Sequence, residues 1–226
     1  MRVLFVGNSY TFYNDMSGQV ARLAEGDDGA PSLETDRVAE GGASLRHHFE
    51  ASGARARIEE GGWTHVVLQE RSTGSLHSAA EFHDYVGRLA KVAARTGALV
   101  LLYETWARQA KSDAYRARWS GGSPPEMMRR IRAEYAEAGA ALGARVVPVG
   151  TAWERALAER PQIVLHDTDL HHASPLGSHL AAAVFYVALT GRDPRGSTFA
   201  APGVNEDDAT FLRRIAFEVT GSQLRD

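Results

Sequence analysis

Acyl-transfer chemistry needs a nucleophile, a base and a carboxylate, and this chain offers all three at opposite ends. Ser9 follows the apolar run Val3-Leu4-Phe5-Val6 and the pair Gly7-Asn8. A serine hydroxyl is a weak nucleophile. It attacks a carbonyl when a neighbouring histidine takes its proton and a carboxylate holds that histidine in the right tautomer. The run His166-Asp167-Thr168-Asp169-Leu170-His171-His172 supplies both partners. Asp169 and His172 are close enough in sequence to meet within one loop and present the imidazole to Ser9 as a unit. His171 is the competing base, and the spacing from Asp169 favours His172. The oxyanion that develops needs fixed donors, each worth about 3 kcal/mol. The backbone N–H groups of Ser9 and Gly42 are the candidates, since glycine lets a substrate approach the chain closely.

The same histidine-rich run admits another chemistry. His166, Asp167, Asp169, His171 and His172 are ligand types for zinc or manganese, so a metal-dependent hydrolase is an alternative. Against it, paired histidines at helical i, i+4 spacing are absent, and no complementary ligand set stands out elsewhere. The serine mechanism calls for no metal and no organic cofactor. Gly41-Gly42 is a weak candidate for a phosphate cradle, because the turn after the first strand lacks both the glycine spacing and a Lys-Ser/Thr pair.

The elements that must position these residues follow from hydrophobic periodicity. Five short apolar runs read as strands: Val3–Val6, Leu33–Ala39, His65–Gln69, Ala98–Tyr103 and Arg145–Val149. The first, third and fourth are nearly continuous hydrophobes, as expected of strands buried on both faces. Helical patterns lie between and after them at Met16–Glu25, Ala79–Thr96, Pro125–Leu142, Thr151–Glu159, Leu176–Thr190 and Asp207–Val219. His47-His48 reads as the exposed start of a further helix. Strand–helix alternation implies parallel strands joined by right-handed crossovers. The expected fold is therefore a three-layer α/β/α, flavodoxin-like sandwich with a five-stranded parallel sheet, in one domain spanning 1–226. Segment 107–123, too polar for core, reads as an excursion on the substrate side.

In such sheets ligands bind beyond the carboxyl ends of the strands. Ser9, Gly42, Gln69 and Trp106 all fall at such ends. Asn8, beside the nucleophile, joins the expected substrate-binding residues. Trp106 is either a substrate wall or core packing. Tyr115 and Trp119 either stack on a ligand such as a sugar or pin the excursion down.

The ordered blocks resemble the SGNH/GDSL hydrolase superfamily. Gly7-Asn8-Ser9 matches its Gly-Asp/Asn-Ser block, Gly42 its oxyanion glycine, and Asp169-Leu170-His171-His172 its Asp-x-x-His block before Pro175 and an apolar helix. The third block departs from the pattern: Gln69-Glu70-Arg71-Ser72-Thr73 stands where many members have Gly-x-Asn-Asp. The resemblance implies Gln69 as third oxyanion donor, with Ser72 and Thr73 as substitutes. It also implies a serine esterase acting on a small-molecule acyl ester, an acetylated carbohydrate above all. The altered third block keeps a non-catalytic ligand-binding protein on the same fold as a further alternative.

Composition narrows the remaining classes. Among 226 residues there is no cysteine, which removes disulfides, thiolate metal sites and cysteine nucleophiles. A net charge of -3 gives no electrostatic footprint for nucleic acid or an anionic membrane. No segment reaches the ~18 consecutive apolar residues of a membrane span. The opening run is too short for a signal-peptide core, so a cytoplasmic protein is the expectation. Oligomeric state has no signature in the sequence.

Overall fold

The first strand is apolar on both faces, and its alternate residues set the two outer layers. The computed structural model describes residues 1–223. Its strands are Arg2–Gly7 (β1), Glu34–Ala39 (β2), His65–Leu68 (β3), Leu99–Tyr103 (β4) and Arg145–Val147 (β5). They pair in parallel in the order β2-β1-β3-β4-β5. The helices are Ser9–Phe12 (α1), Met16–Glu25 (α2), Leu45–Glu50 (α3), Ala54–Glu59 (α4), Gly74–His77 (α5), Ala79–Arg95 (α6), Pro124–Leu142 (α7), Val149–Glu159 (α8), Pro175–Thr190 (α9) and Glu206–Gln223 (α10).

Successive strand side chains point to opposite faces. Val3, Phe5, Val67, Leu101 and Tyr103 therefore join one core with α2, α8, α9 and α10. Leu4, Val6, Val66, Leu68 and Leu102 join the other, with α3, α4, α6 and α7. The three-layer α/β/α sandwich expected from the alternation is the observed fold. β2, at one edge, keeps Glu34, Asp36 and Arg37 exposed, which suits a strand with a free side. Among the described residues no helix is long and apolar enough to cross a membrane.

Two local expectations change. Val149 opens α8 rather than closing the fifth strand, because Pro148 has no N–H to continue the ladder and sits at the helix cap instead. His48 is fully buried rather than exposed. Its Nε2–H donates to the Gly7 carbonyl at 2.6 Å and so ties α3 to the end of β1.

Candidate active site

β1 delivers Ser9, the candidate nucleophile, through a turn that the sequence builds closely. Asn8 is extended and caps α1, its Oδ1 accepting from the Tyr10 N–H at 3.2 Å. Ser9 is thus the first residue of α1, at the carboxyl end of an interior strand. Gly7 has no room for a side chain: a Cβ there would lie 2.4 Å from Thr11 Oγ1 and 2.5 Å from Gln69 Oε1.

The base arrives on a loop closed across its neck. His166 and Ala173 form an antiparallel bridge, the Asp167 N–H donates to His172 O at 2.8 Å, and the Ser174 N–H donates to Leu165 O at 2.9 Å. Leu170 turns the tip at φ 70°. That left-handed conformation is uncommon for a branched residue and costs on the order of 1 kcal/mol or more. Inside the loop, Asp169 Oδ1 accepts from the N–H groups of His171 (3.0 Å) and His172 (2.9 Å). Its Oδ2 lies 2.5 Å from His172 Nδ1, and His172 Nε2 lies 2.8 Å from Ser9 Oγ. The carboxylate selects the tautomer: Nδ1–H donates to Asp169, leaving Nε2 to accept the serine proton. Burial pushes the Asp169 carboxyl up, but the hydrogen bonds from the His172 ring and from both backbone N–H groups outweigh it. The carboxyl is held well below its usual range.

Neighbouring rings fix the imidazole plane. Tyr13 stacks on His172 with centroids 4.1 Å apart and planes 5° apart, and His171 lies 3.9 Å away on a tilt. His171 does not reach Ser9. Burial, then the Arg108 charge, lowers its pKa to about 4, so it is uncharged at neutral pH. Asn14, in the 3₁₀ turn that follows α1, ties that turn to the end of the base loop and to α9, its Nδ2 donating to Ala173 O (3.1 Å) and Ser178 Oγ (2.9 Å). Neither Tyr13 nor Asn14 belongs to a block or a periodic pattern, so sequence reading had no handle on them.

The expected oxyanion donors divide. Among the described residues, the Ser9 and Gly42 N–H groups have no intramolecular acceptor, and Gly42 sits exposed in a turn at φ 71°. Asn8 Nδ2 donates to Ala43 O at 3.0 Å, which binds that turn to the nucleophile's. Gln69 does not offer the expected third donor. It is wholly buried, with Nε2 donating to Asn8 Oδ1 (3.0 Å) and to Glu70 O (2.5 Å). Its Oε1 accepts from the Asn8 N–H (2.9 Å) and Thr11 Oγ1 (3.0 Å). Gln69 braces the nucleophile turn from beneath.

The expected substrate-binding residues are also differently employed. Asn8 is buried, and both ends of its amide are spent on the turn contacts above. Trp106 is buried between Tyr10 and Trp153, stacked on each at 4.2 and 4.1 Å, and its Nε1–H donates to His171 O at 3.0 Å. It anchors the base loop rather than walling a substrate. Tyr115 donates its hydroxyl to Arg108 O, and Trp119 packs on His77. Both pin 107–123, which holds two short 3₁₀ turns between β4 and α7.

The metal alternative loses its ligand set. His166 Nε2 donates to Ala107 O at 2.9 Å, and Asp167 Oδ1 accepts from the Thr168 N–H. Only Asp169, His171 and His172 of that run converge, and His172 already faces Ser9 and Asp169 through its two nitrogens. A cavity of about 690 Å³, lined by Pro125, Met128, Trp153, Leu157, Ile163 and Leu165 among others, lies behind the base loop, and Ser9 is not part of its wall.

Fold and geometry together define a class: an α/β/α sandwich bearing a Ser–His–Asp relay at the carboxyl end of its first strand. Comparison with solved structures agrees. A protein of Slackia heliotrinireducens, classed with the SGNH hydrolases, is 31% identical, with a TM-score of 0.70 over 82% of this chain and 97% of its own. A DUF4886 family protein of Bacteroides uniformis is 16% identical, with a TM-score of 0.75 over 97% of this chain and 94% of that one. An acetylxylan esterase of Geobacillus stearothermophilus is 12% identical, with a TM-score of 0.59 over 81% and 91%. The last two show likeness of fold alone. No family model and no curated protein matches the chain. The chain belongs to the SGNH hydrolase superfamily, as the ordered blocks imply.

Proposed function

We propose that the protein is a serine esterase that removes a small acyl group, acetyl foremost, from a hydroxyl of a carbohydrate-like alcohol. The observation that carries the reading is the continuous relay, 2.8 Å from Ser9 Oγ to His172 Nε2 and 2.5 Å from His172 Nδ1 to Asp169. The fold likeness to an acetylxylan esterase supports the acetyl and carbohydrate parts.

In this mechanism His172 takes the Ser9 proton as Oγ bonds to the acyl carbon. The oxyanion accepts from the Ser9 and Gly42 N–H groups. The intermediate then collapses, the C–O bond to the alcohol breaks, and His172 returns the proton to the leaving oxygen. Water, activated by the same imidazole, releases the acid and restores Ser9. Asp169 stays ionised throughout and stabilises the imidazolium.

The test is p-nitrophenyl acetate turnover by wild type beside Ser9→Ala, with fluorophosphonate labelling of both. Ser9→Ala is expected to lose about 10³-fold or more of kcat and all labelling. Undiminished turnover, or labelling at another residue, would sink the proposal.

A further inference from the structure

Almost every described arginine lies within 4.0 Å of a carboxylate, and Arg71, Arg108, Arg118 and Arg145 do not. Arg145 caps α9 instead, donating to Ala188 O at 2.9 Å. Arg71 and Arg108 stand at the carboxyl rim of the sheet, in the segments that follow β3 and β4. The Arg108 guanidinium is half-buried. Its Nη2 donates to Ser72 Oγ at 3.0 Å, and its buried Nε has no partner. Arg71 is exposed, and its side chain has no hydrogen-bond partner among the described residues.

Arg108 borders the cavity behind the base loop and is tied to that loop through the backbone of its own segment. On either side of it, Ala107 O accepts from His166 and the Gln109 N–H donates to Leu170 O at 2.9 Å, so its backbone is laced to the base loop. Its charge acts on Tyr10 and His171, and the Tyr10 ring is 5.8 Å from that of His172. Both guanidiniums act on the same third group: burial first, then Arg71 and Arg108, lowers the His77 pKa. The acids of this rim are committed elsewhere. Asp169 holds His172, and Glu70, on which the Arg71 charge also acts, accepts from the Leu45 and Arg71 backbone N–H groups at 3.0 and 2.8 Å. Holding a guanidinium half-buried without a counter-ion is costly. A bound anion would relieve that cost through paired, charge-assisted hydrogen bonds.

We propose that Arg108, with Arg71 from the neighbouring rim segment, binds an anionic oxygen group on the alcohol part of the substrate, so that the preferred ester is that of an acidic alcohol such as a hydroxy-carboxylate. This rests on the esterase reading above. The small acyl group leaves the alcohol as the part large enough to carry the charge to this rim.

The probe is a matched pair, 4-acetoxybenzoate and its neutral methyl ester, assayed on wild type, Arg108→Gln, Arg108→Lys and Arg71→Gln. Comparing the anionic-to-neutral ratio of kcat/KM between proteins cancels the intrinsic reactivity of the esters and any loss of folded enzyme. Arg108→Gln is expected to lower that ratio at least tenfold, mainly through KM. Arg108→Lys should recover part of it, Arg71→Gln should move it in the same direction, and high salt should shrink it in wild type. Equal ratios in wild type and Arg108→Gln, with turnover that still depends on Ser9, would overturn the anion site alone. Absence of Ser9-dependent turnover of either ester would overturn the esterase reading and this proposal with it.

Discussion

Asp169 spends its accepting capacity on two successive residues, with Oδ1 on backbone N–H groups that shape the loop and Oδ2 on the His172 ring. An amide in its place could still accept at one oxygen, but it would present a donor where Nδ1–H needs an acceptor, and the imidazole would favour the wrong tautomer. Asp169→Asn is expected to lower kcat by about 10³–10⁴-fold with a smaller change in KM. Steady-state kinetics on an ester that wild type hydrolyses is the measurement. Because the folded carboxyl titrates well below 3.8, its stabilising contribution is complete above that value and withdraws only in stronger acid. Loss of activity at mildly acidic pH would therefore not come from Asp169.

Loops at the strand ends are held by buried polar groups that belong to no catalytic step. Glu70 joins the segment after β3 to the start of α3, and hence to the Gly42 turn. Burial raises its pKa to about 6. Between its ordinary 4.5 and that value the folded chain holds a proton that the unfolded chain releases, so this group's contribution to stability falls as pH rises through the window. The loss amounts to about 2 kcal/mol. Glu70→Gln keeps an acceptor and cannot ionise. Relative to wild type it is expected to gain about that much between mildly acidic and neutral pH, read as a shift in urea midpoint. An unchanged difference between the two proteins across that range would refute the assignment. Trp106 does comparable work for the base loop, through its Nε1–H and two stacked faces.

Across the whole molecule, one sheet serves two cores. Trp106 and Trp153 report on the side of α2, α8, α9 and α10, while Trp63 and Trp119 report on the side of α3, α4, α6 and α7. Because both cores use alternate residues of the same strands, neither can melt without removing the other's floor. Trp→Phe variants that leave fluorescence on one side only are expected to unfold with coincident denaturant midpoints. Two separated midpoints would show that the sides are independent units. Proximity of the triad has the same origin: β1 lies inside the sheet, so a loop preceding α9 can cross its carboxyl end.

Strand positions, the layer order and the triad candidates were legible in the residue string because each rests on a short-range pattern. Apolar runs mark strands, proline and glycine punctuate helices, and Asp169 and His172 need only local chain to meet. The employment of Asn8, Gln69, Trp106 and His48 was not legible, because hydrogen-bond groups at a strand end choose partners far away in sequence. Gln69 met Asn8 and Thr11 before any substrate could meet Gln69, and Trp106 met Tyr10, Trp153 and the base loop. Only the packed chain decides such pairings, since a buried amide or indole must satisfy itself with whatever the neighbouring strands bring within reach.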